Sequence, residues 1–562
     1  MASSRAEAKP KAAIYRSNCP PTNYPTNVSL SQFLVETNPE QIQDNKVTLE
    51  DNWTRKRVTY GGIREAASKG AWGLRRTLDF QRGDVAAILC PNAVDWMVFA
   101  HSALWAGGIV GAINHLASAP ELVHYLQVCS PKVVAVYRDL LPVLLEALSL
   151  MKLRRDKYPK IVSLCGRAAD LPLFPDDISG SAAHEAVPPL DLTNEDSRKV
   201  PAVILFSSGT TGNPKGAYLS HHGIISHLLA TRIADPDVYN GEQREVFFPP
   251  LCHLYGFNVV AIASVWLGNY TLLMKTYTFE EFIQRSSEIR CTWMHVLPPV
   301  AVRLAKSPLT QSLDLQSLRT IICSGSPLGE DLVAVLRRRA PEVVITQKYG
   351  STEATVTFLK RSVANSRGAS IGKLYPDMEA RVVDDDMLDV EPGKVGELLV
   401  RGSSVFMGYK DNPTATREAF HDGWVRTGDL VRCDEEGYFY ITGRKKELIK
   451  YKGFQVAPTE LEEILTSHPL VQEAGVTAHY DEAQATEVPN AYITLADGTR
   501  GRQDAKVLAA EIRAYVDGKV APYKRLRGGV VFLDTMPKTN SGKILRRLLS
   551  KAKRISTSES KL

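Results

Sequence analysis

The sequence predicts an α/β protein: a large N-terminal domain of βαβ-built sheets flanked by helices, followed by a small mobile α+β C-terminal domain. Three observations predict it. Apolar runs alternate with amphipathic stretches from about residue 46 to 440, the pattern of strand–helix units around largely parallel sheets. A short, charged, glycine-bounded stretch at 442–453 interrupts that rhythm and suits a hinge. At 562 residues the chain is too long for one ordinary core.

In order along the chain, residues 1–45 are polar, rich in Pro, Asn and Ser, and read as extended. The first residues carry no apolar segment of the kind that marks a secretory signal. The large domain is expected over 46–443, with strands at 85–89, 133–137, 203–206, 320–323 and 343–346 and a helix over 332–339. The most apolar stretch, 94–113, is interrupted by Asp95, His101, Gly107 and Gly108, so a buried helix and turn is expected rather than a membrane span. The hinge is expected at 444–448 and the small domain at 449–553. Pro458 opens a helix there; Thr459 and Glu462 have the spacing of a capping box, Leu461, Ile464 and Leu465 form an apolar face, and His468-Pro469 ends it. Residues 543–554 are basic and amphipathic and read as a solvated surface helix. A flexible tail, 554–562, ends in Ser560-Lys561-Leu562, which reads as an address for the peroxisomal import receptor.

Composition narrows the function classes. Hydrophobic residues at 44% and charged residues at 23% fit a soluble globular chain. Lys and Arg number 68 against 62 Asp and Glu, a net charge of +6, too slight over this length to argue for nucleic-acid binding. Eight cysteines lie at 19, 90, 129, 165, 252, 291, 323 and 433 without a C-x-x-C pair. Neither a zinc site nor a redox motif is expected, and a reducing compartment fits.

The chemistry-bearing residues begin after the apolar run 203–206. Ser207, Ser208, Gly209, Thr210, Thr211 and Gly212 lead through Asn213-Pro214 to Lys215 and Gly216. Such a loop can aim backbone N–H groups, hydroxyls and one ammonium at phosphate oxygens. It is not a Walker A loop, which requires G-x-x-x-x-G-K-[ST]; Gly216 stands where the magnesium-binding hydroxyl would be. Further on, Tyr349-Gly-Ser-Thr-Glu353 offers an aromatic face, a hydroxyl and a carboxylate suited to a hard cation such as Mg²⁺. Asp429, in Thr427-Gly-Asp, could accept both ribose hydroxyls. Arg444 could reach phosphate or ribose, and Lys543 sits in a turn-forming loop, Pro537-Lys-Thr-Asn-Ser-Gly-Lys543.

Phosphate loop, Y-G-x-T-E, T-G-D, G-R-K-K and a late loop lysine, in that order, resemble the adenylate-forming superfamily. The likeness is to 4-coumarate–CoA ligases and related acyl- and aryl-CoA ligases, and it covers about residues 55 to 550. The stretches 447–458 and 537–544 are especially similar. The resemblance implies a two-step reaction: a carboxylate and MgATP give an acyl-adenylate and pyrophosphate, and the thiol of coenzyme A then displaces AMP. It implies that Ser207 to Lys215 hold the β- and γ-phosphates, that Glu353 helps bind Mg²⁺ and that Thr352 contacts the α-phosphate. Gly325, Ser326, Pro327 and Tyr349 would enclose the adenine, with Gln347 and Gly350 in the same nucleotide site. Asp429 would bind the ribose with Arg444, and Lys543 would bridge carboxylate and α-phosphate. Rotation at Lys446 would withdraw Lys543 and bring Lys450 to the site, with Lys452 and Gly453 near CoA. His253, in Phe248-Pro-Pro-Leu-Cys-His-Leu-Tyr255, would gate the acyl pocket. That pocket would include Tyr255, Asn258, Val259, Cys323, Ser324, Gly325, Ser326, Lys348, Val356 and Thr357. Loading of a carrier-protein thiol, luciferase-like oxygenation of the adenylate and a non-catalytic binding protein are the alternatives; Lys450-Tyr-Lys-Gly-Phe454 favours CoA.

The acyl pocket departs from the family pattern. Plant coumarate ligases carry Gly-Gln-Gly-Tyr-Gly where this chain has Thr346-Gln-Lys-Tyr-Gly350, and usually a lysine where Cys323 stands. Their S-G-A-A-P is shortened here to Ser324-Gly-Ser-Pro327. The substrate acid is therefore left open. Lys348 either enters the pocket, where it selects a polar or acidic tail or shortens the space, or points to solvent.

Overall fold

The computed structural model describes residues 14–179, 187–207, 213–325, 328–482, 484–496, 504–539 and 542–554. Its organising feature is a seven-stranded sheet in the order Gly408–Tyr409, Lys215–Ser220, Pro201–Ser207, Ile109–Ala112, Val85–Leu89, Val133–Tyr137, Lys160–Leu164. The last five are parallel to one another, and Lys215–Ser220 pairs antiparallel with Pro201–Ser207. Val85–Leu89 and Val133–Tyr137 are buried at every position, as continuous β-branched and aliphatic runs require when helices cover both faces. The expected strands at 85–89, 133–137 and 320–323 carry those bounds, and that at 203–206 lies inside Pro201–Ser207.

The stretch 94–113 is helix Val94–Trp105, a turn, and strand Ile109–Ala112. Its polar interruptions are satisfied inside the protein. Asp95 pairs with Lys56, and His101 Nε2 lies 2.8 Å from the Ala261 carbonyl. No helix among the described residues is long and apolar enough to cross a membrane.

A second, five-stranded sheet runs Trp293–Val296, Thr320–Cys323, Val344–Ser351, Ala354–Phe358, Lys373–Leu374; its first three strands are parallel. The strand expected at 343–346 continues to Ser351, which carries the Y-G-S motif to the sheet's end. The expectation of parallel sheets fails beyond it. Strands Met378–Val383, Gly396–Gly402, Trp424–Cys433 and Phe439–Arg444 are mutually antiparallel. Short polar turns such as Asp434-Glu-Glu-Gly437 join hairpin neighbours and leave no room for a crossover helix.

Residues 14–45 are not merely extended. Tyr15–Arg16 pairs with Met378–Val383, and Leu30–Glu36 is a helix whose Ser29 and Gln32 form a reciprocal capping box.

The C-terminal part has a core of its own, built by strands Val471–Asp481, Thr486–Leu495 and Gly529–Phe532 under helices Pro458–Ser467 and Ala505–Asp517. Two expectations are corrected there. The cap of Pro458–Ser467 is Ala457, without a side-chain hydrogen bond. Pro458 already sits at the first helical position, so Thr459 lies inside the helix, and Glu462 turns instead to the Val476 N–H and Arg546. The basic stretch 543–554 holds only a four-residue helix, Arg546–Leu549. Leu549 is buried and Arg546 is locked between Glu447 and Glu462 at 2.5 and 2.8 Å, so this is a packed segment rather than a solvated face.

Candidate active site

A cavity of about 460 Å³ lies between the ends of the two large sheets and the C-terminal part of the chain. Its nucleotide-facing wall is built by register. Strands Trp424–Cys433 and Phe439–Arg444 place Asp429 opposite Arg444, and the Arg444 Nε–Asp429 Oδ1 distance is 2.5 Å. The other oxygen, Oδ2, accepts the Tyr349 hydroxyl at 2.6 Å. Gly428, at φ +69°, supplies the left-handed corner that turns the carboxylate inward. Burial would lower the Arg444 pKa, but Asp429 outweighs it and holds it above its ordinary value. Burial, with Asp429 next, raises the Tyr349 phenol in the same way.

Opposite stands Glu353, whose Oε1 accepts the Tyr409 hydroxyl at 2.7 Å. Lys215 opens the strand after the phosphate loop, paired with Ser207, and its ammonium lies 5.0 Å from the Tyr409 ring centre. The loop therefore spans a hairpin rather than leading into a helix. Ser208, Gly209, Thr210, Thr211, Gly212, Ser326 and Pro327 lie outside the described residues. Gly350 sits at a β-bulge that re-aims the strand end. Gln347 lines the cavity and also braces its wall, accepting from the Leu328 N–H at 2.8 Å and donating to the Gly368 carbonyl at 2.7 Å.

Lys543 enters the same cavity from the C-terminal part of the chain. Its backbone is pinned by Thr539, whose N–H donates to the Lys543 carbonyl at 2.7 Å. Burial first, then Arg444, lowers its pKa to about 8. Thr352 is also a lining residue. Lys446 is exposed in the short turn Lys445–Glu447 and does not line the cavity. Lys450, Lys452 and Gly453 belong to the hairpin Ile449–Tyr451/Phe454–Val456, also away from it. Lys452 and Gly453 both have positive φ, 45° and 84°, the signature of a two-residue type I′ turn.

At the acyl end, His253, Tyr255, Asn258, Val259, Ser324, Gly325 and Lys348 line the cavity. His253 and Tyr255 each bury a polar atom, Nε2 and the hydroxyl, with no partner, and burial pushes His253 down to about 4. Asn258 and Val259 project from a π-helical stretch, Phe257–Ser264, a backbone form found at functional sites. Lys348 points inward and not to solvent: its ammonium lies 4.0 Å from the Tyr239 ring centre.

Three expected pocket residues are misplaced. Cys323 and Val356 are packed in the hydrophobic cores, and the Thr357 hydroxyl donates to the Ile371 carbonyl at 2.7 Å. Side chains alternate along Ala354–Phe358, so Thr355 faces the cavity instead of Val356. Tyr409, His227, Glu447, Glu462 and Arg546 also line it. Tyr409 and His227 had no motif and tertiary packing alone brings them in, whereas Glu447 opens the family-like stretch 447–458 and Glu462 and Arg546 lie in segments expected to serve as a helix cap and a solvated face.

Residues 36–410 match the family described as AMP-binding enzyme, and residues 460–543 match the AMP-binding enzyme C-terminal domain. The chain is 30% identical to a probable 4-coumarate–CoA ligase 3 of Dictyostelium discoideum, over 91% of this chain and 93% of the relative. It is 33% identical to 4-coumarate–CoA ligase-like 9 of Arabidopsis thaliana, over 96% and 95%. Among solved structures, the anthranilate CoA ligase AuaEII in complex with anthranoyl-AMP superposes with a TM-score of 0.82 at 25% identity, covering 94% of this chain and 98% of that one. ATP-bound MatB from Rhodopseudomonas palustris shares the fold, with a TM-score of 0.78 at 23% identity over 93% and 98% of the two chains. With both family segments present around one cavity, the chain belongs to the AMP-binding enzymes, as an acyl- or aryl-CoA ligase-like member of the adenylate-forming superfamily.

Proposed function

We propose that this protein is an AMP-forming carboxylate–CoA ligase that uses the cavity between its two parts for both half-reactions. The carrying observation is that Lys543 lines the same cavity as the Tyr349–Asp429–Arg444 cluster and Glu353. In the first half-reaction a carboxylate oxygen bonds to the α-phosphorus of ATP and the bond to pyrophosphate breaks. Negative charge gathers on the α-phosphoryl oxygens, where the Lys543 ammonium and the Thr352 hydroxyl act. Asp429, fixed by Tyr349 and Arg444, orients the ribose. Lys215 and the loop before it hold the departing phosphates. In the second half-reaction the CoA thiol attacks the acyl carbon and AMP leaves. Adenylation is needed because a bare carboxylate has no good leaving group.

Glu353 fits a magnesium ion: it offers hard carboxylate oxygen at the phosphate end, and Mg²⁺ uses one or two carboxylates beside substrate phosphates. No group of three or more His, Cys, Asp or Glu side chains among the described residues could form a cage for it. When bound, the ion would neutralise phosphate charge. The exposed hairpin carrying Lys450, Lys452 and Gly453 is the element that a rotation at 444–448 would bring toward the cavity for the CoA step.

A panel of carboxylic acids assayed for pyrophosphate and AMP release, with and without CoA, tests the reading. Absence of pyrophosphate with every acid overturns it, and thioester formed on a carrier protein but not on free CoA redirects it. The ending Ser560-Lys561-Leu562 supports import into peroxisomes; a fluorescent fusion ending in it is expected in peroxisomes and one lacking the last three residues in the cytosol.

A further inference from the structure

The acyl end of the cavity contains a charged group that the two half-reactions leave unused. Lys348 projects from Val344–Ser351 and lines both the main cavity and a small recess beside it, where His227, Thr231, Tyr239 and Asn258 stand among the aliphatic side chains. Its ammonium rests on the face of Tyr239. Among the described residues it has neither an ion-pair partner nor a hydrogen-bond acceptor; Asp235 attracts it from farther off. The Asp235 Oδ2 is taken by the Arg361 N–H at 2.7 Å, and its Oδ1 has no partner. Two more buried polar atoms in this region are unpartnered, the Tyr239 hydroxyl and His227 Nδ1.

A cation withdrawn from water is costly unless an anion or acceptor meets it. The face of Tyr239 offsets only part of that cost. Burial lowers the Lys348 pKa to about 7, which marks how poorly the protein alone satisfies the ammonium. The missing partner is an acceptor that arrives with the substrate. The Tyr239 hydroxyl and the Asn258 amide offer further donors beside the recess, and donors that converge beside a cation suit a carboxylate. Val259, Leu254 and Leu297 supply apolar lining along the main cavity for the spacer of such an acid.

We propose that Lys348 anchors a second carboxylate at the far end of the substrate, so that the enzyme activates dicarboxylic acids at one end only. The inference rests on the ligase reading above. The distal carboxylate keeps its oxygens and charge throughout; the proximal one alone forms the bond to phosphorus and then to sulfur.

Pyrophosphate release with the full-length enzyme and CoA, over the matched pairs hexanoate and adipate, octanoate and suberate, decanoate and sebacate, tests it. At one or more lengths the dicarboxylate should exceed its partner in kcat/KM by about 10-fold or more, as expected where a buried polar group must be matched. Lys348→Met should abolish that preference, lowering the dicarboxylate-to-monocarboxylate ratio of kcat/KM by about 100-fold; Lys348→Arg should keep part of it. Monocarboxylates preferred or equal at every length in the wild type overturn the proposal, even if the variant does not fold. Equal losses for both acids in Lys348→Met overturn it too. Failure of the ligase reading itself looks different: no acid of either kind releases pyrophosphate.

Discussion

At the scale of single residues, Lys543 carries the sharpest consequences. It is a cation that the C-terminal part of the chain contributes to the cavity beside Arg546, which Glu447 and Glu462 hold. Lys543→Met should lower acid-dependent pyrophosphate exchange by about 10²- to 10³-fold, the size of effect seen when a preorganised charge donor is removed. Conversion of supplied acyl-adenylate to thioester should change little. An equal loss in both half-reactions would mean that Lys543 supports the fold rather than adenylation. The pH profile follows from the same side chain. Its ammonium is the active form, and burial with Arg444 beside it lowers the pKa to about 8. In the free enzyme kcat/KM for adenylation should therefore fall as pH rises through about 8, and Lys543→Arg should move that limb to higher pH if it retains activity. Most groups around Lys543 were legible as motifs because a nucleotide site constrains local chain geometry. Tyr409 was not, since a lone tyrosine on a two-residue strand has no pattern; only the structure shows it holding Glu353.

At the scale of elements, the boundary between the five-stranded sheet and the antiparallel sheet that contains Phe439–Arg444 depends on one glycine. Gly372, at φ +91°, bridges to Phe439, and a Cβ there would meet the Phe358 carbonyl oxygen at 1.7 Å. Gly372→Ala combines an unfavourable backbone region with a clash against backbone that cannot rotate away. It should cost about 3 kcal/mol or more, measured as a lowered urea midpoint with an unchanged slope. A midpoint within error of wild type would show that the two sheets can separate there without loss. The parallel strands of the large domain were readable because strands buried on both faces are continuous aliphatic runs, as in Val85–Leu89. The antiparallel sheet was not, because its strands alternate buried and half-exposed positions, as Trp424–Cys433 does, and such alternation does not reveal partner or direction. The same period of two explains the acyl-pocket error: a shift of one residue turns Val356 into the core and Thr355 into the cavity. The misjudged stretch 543–554 failed for a different reason, since Arg546 is buried by two carboxylates that lie 84 and 99 residues away.

At the scale of the whole molecule, the position of Lys543 depends on how the C-terminal part sits on the large domain, and one contact stands out. Lys306, at the end of helix Pro298–Lys306, donates to the carbonyls of Thr466 and His468 at 2.8 Å each, and to that of Val471. Those carbonyls lie at and just beyond the C-terminus of helix Pro458–Ser467, where unpaired acceptors and the helix dipole favour a cation. Burial lowers the Lys306 pKa to about 8, which leaves the ammonium mostly charged near neutrality. One side chain thus ties the large domain to the helix that precedes the Val471–Asp481 strand, and Lys543 is delivered from the loop packed beyond that sheet. If rotation at 444–448 separates the two half-reactions, Lys306 is a latch for the first of them. Lys306→Met should then lower pyrophosphate exchange by about 10-fold, since three charge-assisted hydrogen bonds stabilise the adenylation arrangement alone. Thioester formation from supplied acyl-adenylate should be unchanged or faster, because the same loss eases the departure of Lys543. The opposing shifts distinguish a latch from a stabilising contact, which would slow both steps together, and Lys306→Gln, which can still donate to two carbonyls, should fall between wild type and Met in both assays.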